Sequence, residues 1–304
     1  MTHRFIPVPL IIFFIALFSI VKAGDQMWQR ISGSNFVIYY QDDDLKNSQK
    51  ILTLLQSSYL QLSQELDINL VDSVFIFITP SQQAFDQIVG KNIPKWTDGL
   101  AAPMNHAIIL KSPKWNTPDM DINPIAIHEL VHIMLDRATK GNPIPRWFNE
   151  GLAVYYSGEK SYASSTLVSK ALVTNSLISL SDIDDVLSFH RDKAQLAYQQ
   201  SYMDVSHLFR NYGNEAVRDI IYQLGEGNNL NQAFIKVMGL DSWEFEQAWL
   251  QYIKKQYRWH FLVEFDNYLW ILILGLFILG FILIRLRNRR TIRQWQENEE
   301  NLID

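Results

Sequence analysis

Two apolar runs, Ile6–Val21 and Tyr268–Ile284, sit at opposite ends of this 304-residue chain. The second is the more constraining. Its roughly 17 uncharged residues just reach across a hydrocarbon core at 1.5 Å per residue when the helix stands nearly upright. Tyr268 and Trp270 lie at its outer edge, where amphipathic rings prefer the headgroup level. Arg285, Arg287, Arg289, Arg290 and Arg293 follow it, whereas Glu264 and Asp266 precede it, so the positive-inside rule makes residues 285–304 a basic cytoplasmic tail. The first run follows Arg4 and closes on Val21-Lys22-Ala23, with small residues where a signal peptidase reads. Residues 1–23 therefore read as a cleaved signal peptide, an uncleaved anchor being the other reading. Both ends agree in placing residues 24–267 outside the cytoplasm. That stretch has no Asn-x-Ser/Thr sequon, which favours a bacterial envelope, periplasmic or at the cell surface, over a eukaryotic secretory route. Gly275 and Gly280 are five apart, not the small-xxx-small spacing of a helix-packing seam.

The interval between the runs, about 240 residues, suffices for one elaborated domain or two closely packed lobes. With 48% hydrophobic and 19% charged residues and a formal charge of −5, neither a disordered chain nor a basic nucleic-acid binder is indicated. The absence of cysteine excludes disulfides, thiolate metal sites and a cysteine nucleophile. Any metal must be held by His, Asp or Glu.

Along the interval, Phe36–Tyr40 is β-branched and aromatic and is stopped by Gln41-Asp42-Asp43-Asp44, which predicts a buried strand. Ile51, Leu54, Leu55, Tyr59, Leu62 and Leu66 recur at helical spacing. Val74–Thr79 is a second strand ended by Pro80, Ser81–Val89 a short helix capped by Ser81, and Ala107–Leu110 a third strand. Helices are expected at Ile125–Leu135, around Trp147–Tyr156, and throughout the chain from Ala194. Gly213, Gly227 and Gly239 mark helix ends there, and Asp241 with Glu244 a capping box. There is no tandem repeat. The pattern predicts a mixed α/β lobe followed by an all-helical lobe.

The chemistry concentrates in Pro124-Ile-Ala-Ile-His128-Glu129-Leu-Val-His132. Asn123 is a good N-cap and Pro124 a favoured first helical residue. On that helix His128 and His132 are one turn apart, close enough for both imidazoles to reach one ion, while Glu129 sits about 100° round and flanks it. The surrounding Ile127, Leu130, Val131, Ile133, Met134 and Leu135 make the helix a buried one, where two histidines and a glutamate are costly without a shared purpose. Glu150 follows 18 positions after His132, inside Pro145-Arg-Trp147-Phe-Asn149-Glu150-Gly151-Leu-Ala153. Gly151 would let this second helix approach the first. Two nitrogens and a carboxylate form a three-ligand set that leaves the fourth zinc position open.

His128-Glu129-x-x-His132 followed by Trp147-x-x-Glu150-Gly151-x-Ala153 resembles the gluzincin metallopeptidases of the peptidase MA-like superfamily, and the second segment is similar to that of the aminopeptidase N group. The resemblance extends over residues 33 to about 255. It implies an α+β, thermolysin- and gluzincin-like two-lobed domain, with an α/β lobe over residues 24–140 that includes the zinc helix. A helical lobe over 141–262 and a transmembrane helix over 268–284 complete it. It further implies Zn2+ held by His128, His132 and Glu150, with Glu129 as general base and a peptide or protein as substrate. Aminopeptidases of that group carry Gly-x-Met-Glu-Asn upstream, whereas Pro103-Met104-Asn105-His106 has no glutamate to hold a free substrate amine, which favours internal cleavage. The expected function is a membrane-anchored extracytoplasmic endopeptidase. Its partners are the substrate and the bilayer, without nucleic acid. The alternative is a catalytically inactive zinc-binding module that holds a peptide or partner at the membrane surface.

Such sites need a second donor to the oxyanion. Tyr198, Tyr202 and His207 lie suitably downstream, and Tyr202 is the choice, although with Val205, Leu208, Phe209 and Tyr212 it also forms a core-like stripe. Ala107–Leu110 is read as an edge strand able to pair with extended substrate. Asp136, one turn beyond His132, is either a partner for a ligand imidazole or a solvated residue near the helix end. Trp147 is expected between the two metal-bearing helices, and Trp28, Trp96 and Trp115 as core or loop anchors.

Overall fold

The computed structural model describes residues 28–90, 93–115, 121–159, 162, 165–258 and 266–300. The expected signal peptide, residues 1–23 with the run Ile6–Val21, lies outside the described residues, as do Glu264 and residues 301–304.

Five short strands make one sheet in the order β1-β2-β3-β5-β4. These are β1 (Gln29–Ser32), β2 (Phe36–Tyr40), β3 (Val74–Thr79), β4 (Gly99–Ala102) and β5 (Ala107–Lys111). β2, β3 and β5 run parallel, and the outer strands β1 and β4 pair antiparallel with β2 and β5. β5 is buried at every residue, as a central parallel strand covered on both faces must be. Phe36, Ile38, Ile76, Ile108 and Leu110 belong to the large core that includes α1 (Leu45–Leu66) and α3 (Ile122–Ala138), whereas Phe77 and Ile109 form a smaller cluster with Phe85 of α2 (Gln82–Val89).

Two expectations are corrected here. Ala107–Leu110 is no edge strand, because β3 and β4 flank it on either side. The free edge on that side is β4, a four-residue Gly-Leu-Ala-Ala segment too short and too weakly patterned to be recognised from sequence. The helix that carries His128 also starts earlier than Asn123 and Pro124 suggest: Asp121 is the N-cap, its carboxylate accepting from the Asn123 N–H at 3.1 Å. Pro124 then falls in the first turn, where its missing N–H is still without cost. Other local signals hold. Ser81 caps α2 by accepting from the Ala84 N–H, and Asp241 and Glu244 exchange both capping-box bonds.

Beyond α3 come α4 (Arg146–Ser157), α5 (Thr166–Thr174), a 3₁₀ stretch Leu180–Ser188, α6 (Arg191–Gly225), α7 (Leu230–Met238), α8 (Ser242–Tyr257) and α9 (Asp266–Glu300). α6 is broken at Gly213, whose φ of 80° lies in the left-handed region that glycine reaches freely. The chain divides into two compact units, one running to Ser164 and resuming over Ile178–Gln251, the other comprising Ser165–Leu177 and Tyr252 onward. Within the first unit a single apolar core continues from Phe36 of β2 to Phe245 of α8. In the second, α9 carries Trp270–Arg293, a 24-residue stretch long and apolar enough to cross a membrane. The α+β class and the single C-terminal apolar helix agree with the expectation.

Candidate metal centre

α3 and α4 are buried for reasons independent of any ligand. Ala126, Leu130, Val131, Met134 and Leu135 of the one and Trp147, Phe148, Leu152, Ala153 and Val154 of the other are core residues. The polar exceptions meet at one place. Glu150 Oε2 lies 3.3 Å from His128 Nε2 and 3.5 Å from His132 Nε2, and one ligand atom from each of the three falls within 4.8 Å of the others. The two imidazoles stand edge to face, 4.8 Å between centroids. His128, Glu129 and Glu150 are 8%, 7% and 5% exposed, so the cluster is withdrawn from water on most sides.

Gly151 permits a close approach, but to a helix other than the one expected. A Cβ there would stand 2.3 Å from the carbonyl oxygen of Ser201 and 2.6 Å from Val205 Cγ2, so the glycine seats α4 against α6. Trp147 is likewise turned into the helical core, stacked 6.0 Å from Phe245 and edge-on to Phe234. Trp28 stands edge-on to Phe77, and the Trp115 indole N–H donates to the Thr79 carbonyl at 2.7 Å, both as anchors. Trp96 reaches the site's margin, edge-on to Tyr198.

Each imidazole is oriented from behind. His128 Nδ1 is 2.8 Å from Glu159 Oε2, and His132 Nδ1 is 2.9 Å from Asn149 Oδ1. Since a carboxylate and an amide oxygen only accept, both rings donate from Nδ1 and turn Nε2 toward Glu150. Asp136 does not take this part. Burial raises its carboxyl, and its charged neighbours are Arg137 and His106. Asn149 adjoins Glu150 in sequence, but Glu159 lies beyond the left-handed cap Gly158 and carries no local signal. Arg146 Nη1 donates to Glu150 Oε1 at 3.2 Å, an i,i+4 pair readable from spacing yet missed. Its backbone N–H in turn donates to Asp184 Oδ1 at 2.8 Å, which supplies the cap that Pro145 cannot.

The charges follow from these contacts. Burial alone would depress His128, but hydrogen bonds to Glu150 and Glu159 hold it well above the usual imidazole range. Burial opposes ionisation of Glu150, and the two histidines outweigh it, so its carboxylate stays ionised well below the ordinary range. For Glu129 burial wins over the same histidines and raises the carboxyl. Tyr198 is buried, and its hydroxyl is raised by burial and then by the charge of Glu150, with Tyr162, Arg146 and Glu129 also acting on it; Tyr162 is raised likewise, by burial and then by Glu159. Tyr202 is one turn further along α6, and its ring lies 6.4 Å from that of Tyr155. His207 is further still, 5.9 Å from the Phe245 ring in the helical core. The i,i+4 spacing puts Tyr198 and Tyr202 on one helix face; which turn meets the cluster is set by the docking of α6, invisible in the sequence.

The β4 edge completes the surroundings. A Cβ on Gly99 would meet Ile125 Cγ2 at 2.7 Å and Glu129 Oε1 at 3.0 Å, so the strand passes directly against the Glu129 side chain.

The model of the peptidase MA superfamily matches residues 55–255, which contain this whole cluster. The chain belongs to the peptidase MA superfamily. Its superfamily segment is a metallopeptidase-type domain. Native leukotriene A4 hydrolase from Saccharomyces cerevisiae is similar in structure with a TM-score of 0.43 and 14% identity, over 75% of this chain and 36% of that one. The chain thus spans little more than a third of that protein's length. No curated protein matches this peptidase MA chain by sequence.

Proposed function

We propose that the chain is a membrane-anchored, zinc-dependent endopeptidase that works outside the cytoplasm. Its peptidase domain would occupy residues 24–262, following a signal peptide over 1–23. A span over 268–284 and a cytoplasmic tail over 285–304 would complete it. The observation that carries the reading is the convergence of His128 Nε2, His132 Nε2 and Glu150 Oε2 beside a fourth, buried carboxyl, Glu129. The donor set fits the ion. Two imidazoles and one carboxylate are a zinc set, and His–Glu separations of 3.3 and 3.5 Å match ligands held at about 2.0–2.1 Å on a tetrahedron. When bound, zinc would supply a Lewis acid that makes a water acidic near neutral pH and polarises a carbonyl.

The chain's own residues supply the rest. Glu129 takes the proton of the attacking water and later passes it to the leaving amine. Tyr198, kept protonated by burial, donates its O–H to the oxyanion developing on the scissile carbonyl, in place of the Tyr202 expected from sequence. The free edge of β4, in place of Ala107–Leu110, offers backbone groups to an extended substrate beside Glu129. Internal cleavage is supported because neither Gly99–Ala102 nor Pro103-Met104-Asn105-His106 contains a carboxylate to hold a substrate amine.

Solubilised full-length chain is expected to hold about one zinc and to cut quenched peptides blocked at both ends, with cleavage lost to a chelator. Zinc without cleavage of any peptide pool would leave a binding module. Tyr198→Phe is expected to lower turnover about 10²-fold with little change in KM, whereas Tyr202→Phe leaves turnover per folded molecule unchanged. The reverse pattern would return the role to Tyr202. For topology, protease added to spheroplasts is expected to digest the domain and spare a small fragment containing α9, while protection of the domain would reverse the assignment.

A further inference from the structure

We propose that Arg146 is a positioning residue that keeps Glu150 a one-oxygen ligand; the inference rests on the metal site described above. The two oxygens of Glu150 are divided between different tasks. Oε2 faces both imidazoles, while Oε1 accepts from the Arg146 guanidinium at 3.2 Å. A carboxylate this buried needs a partner for each oxygen. Without the arginine, the nearest centre able to satisfy Oε1 is the ion itself, reached by a small rotation about the terminal side-chain bond into a two-oxygen mode. That rotation would add an oxygen beside the position needed for water and raise the ligand number by about one.

Several features suit Arg146 to this task. It lies one turn before Glu150 on α4, and its own backbone is pinned by the Asp184 carboxylate, so the base of the side chain is fixed relative to the ligand it restrains. Its guanidinium gives a charge-assisted bond of defined direction. The side chain is 34% exposed against 7% for that of Glu150, which weakens its purely Coulombic pull and leaves orientation as its main effect. The outer contacts of the cluster thereby differ in sign. Glu159 backs His128 with negative charge and makes it the stronger donor; Arg146 draws charge from Glu150 and makes it the weaker one.

The test uses cobalt in the solubilised full-length chain, because cobalt reports ligand number through the intensity of its visible bands. Arg146→Met is expected to weaken those bands, and X-ray absorption on the zinc form should show about one added oxygen neighbour. Arg146→Lys, which keeps a hydrogen-bond donor one turn from Glu150, is expected to retain the wild-type spectrum. Should Arg146→Met not fold, Arg146→Leu, which likewise offers Oε1 no donor, carries the same comparison. Wild-type spectra and neighbour number in the uncharged variant would overturn the proposal, even if its thermal stability fell. A wild-type chain that bound neither zinc nor cobalt would overturn the metal site itself.

Discussion

Glu129→Gln is expected to lower peptide cleavage by about 10²- to 10⁴-fold, the loss of about 3 to 5 kcal/mol of transition-state stabilisation typical of a missing general base. Zinc content should stay at the wild-type level. Glu129 adjoins His128 in sequence, but the carboxylate that stands within reach of both Nε2 atoms is that of Glu150, so Glu129 is free to serve the water. The amide preserves volume at a place where volume is tightly set, since β4 passes against Glu129 with only Gly99 between. An amide cannot accept the proton. The comparison is therefore of turnover per zinc-loaded molecule, by quenched-peptide kinetics alongside metal analysis. Cleavage at the wild-type rate with zinc retained would remove Glu129 from the mechanism.

The second large effect is on the metal. His128→Ala or Glu150→Ala is expected to take zinc from about one per chain to near none, because two remaining ligands do not hold the ion against buffer. Stability should follow by linkage. At free zinc a thousandfold above its dissociation constant, binding contributes about 4 kcal/mol to the wild type, so a chelator should lower the wild-type Tm and leave that of either variant where it was. The core from Phe36 to Phe245 is continuous without any ion, so the variants are expected to fold. Full zinc occupancy in either one would falsify the ligand assignment.

The effect of His128→Ala reaches further than one lost nitrogen. Glu159, whose Oε2 lies 2.8 Å from His128 Nδ1, would be left beside Glu150 and Glu129 with one fewer imidazole to neutralise three carboxyls. A proton would be taken up to compensate at Glu129, whose carboxyl burial already raises. Glu129, whose folded value is raised, destabilises the fold increasingly as pH rises through that value, so the variant should lose more stability than the wild type between acid and neutral pH.

What the sequence by itself determined was whatever depends on neighbours within about one turn or on composition. His128 and His132 had to share a helix face because four residues make about one turn, and the buried run around them fixed the face as interior. Ser81 and the Asp241–Glu244 pair fixed helix starts, since a cap is made by side chains two or three residues from the groups they satisfy. The apolar run after Tyr268 fixed a helix long enough to cross a membrane. Tertiary structure alone decided the rest. It placed β4 at the sheet's edge and β5 inside, because strand order is set by pairing between segments whose sequences carry no record of their partners. It brought Tyr198 within the influence of Glu150 and the Tyr202 ring to that of Tyr155, since two residues on one face of α6 differ only in where that helix docks. It turned Gly151 toward Ser201 and brought Glu159 behind His128 from 31 positions away. Such contacts come from packing helices and loops together in three dimensions, which local periodicity cannot express.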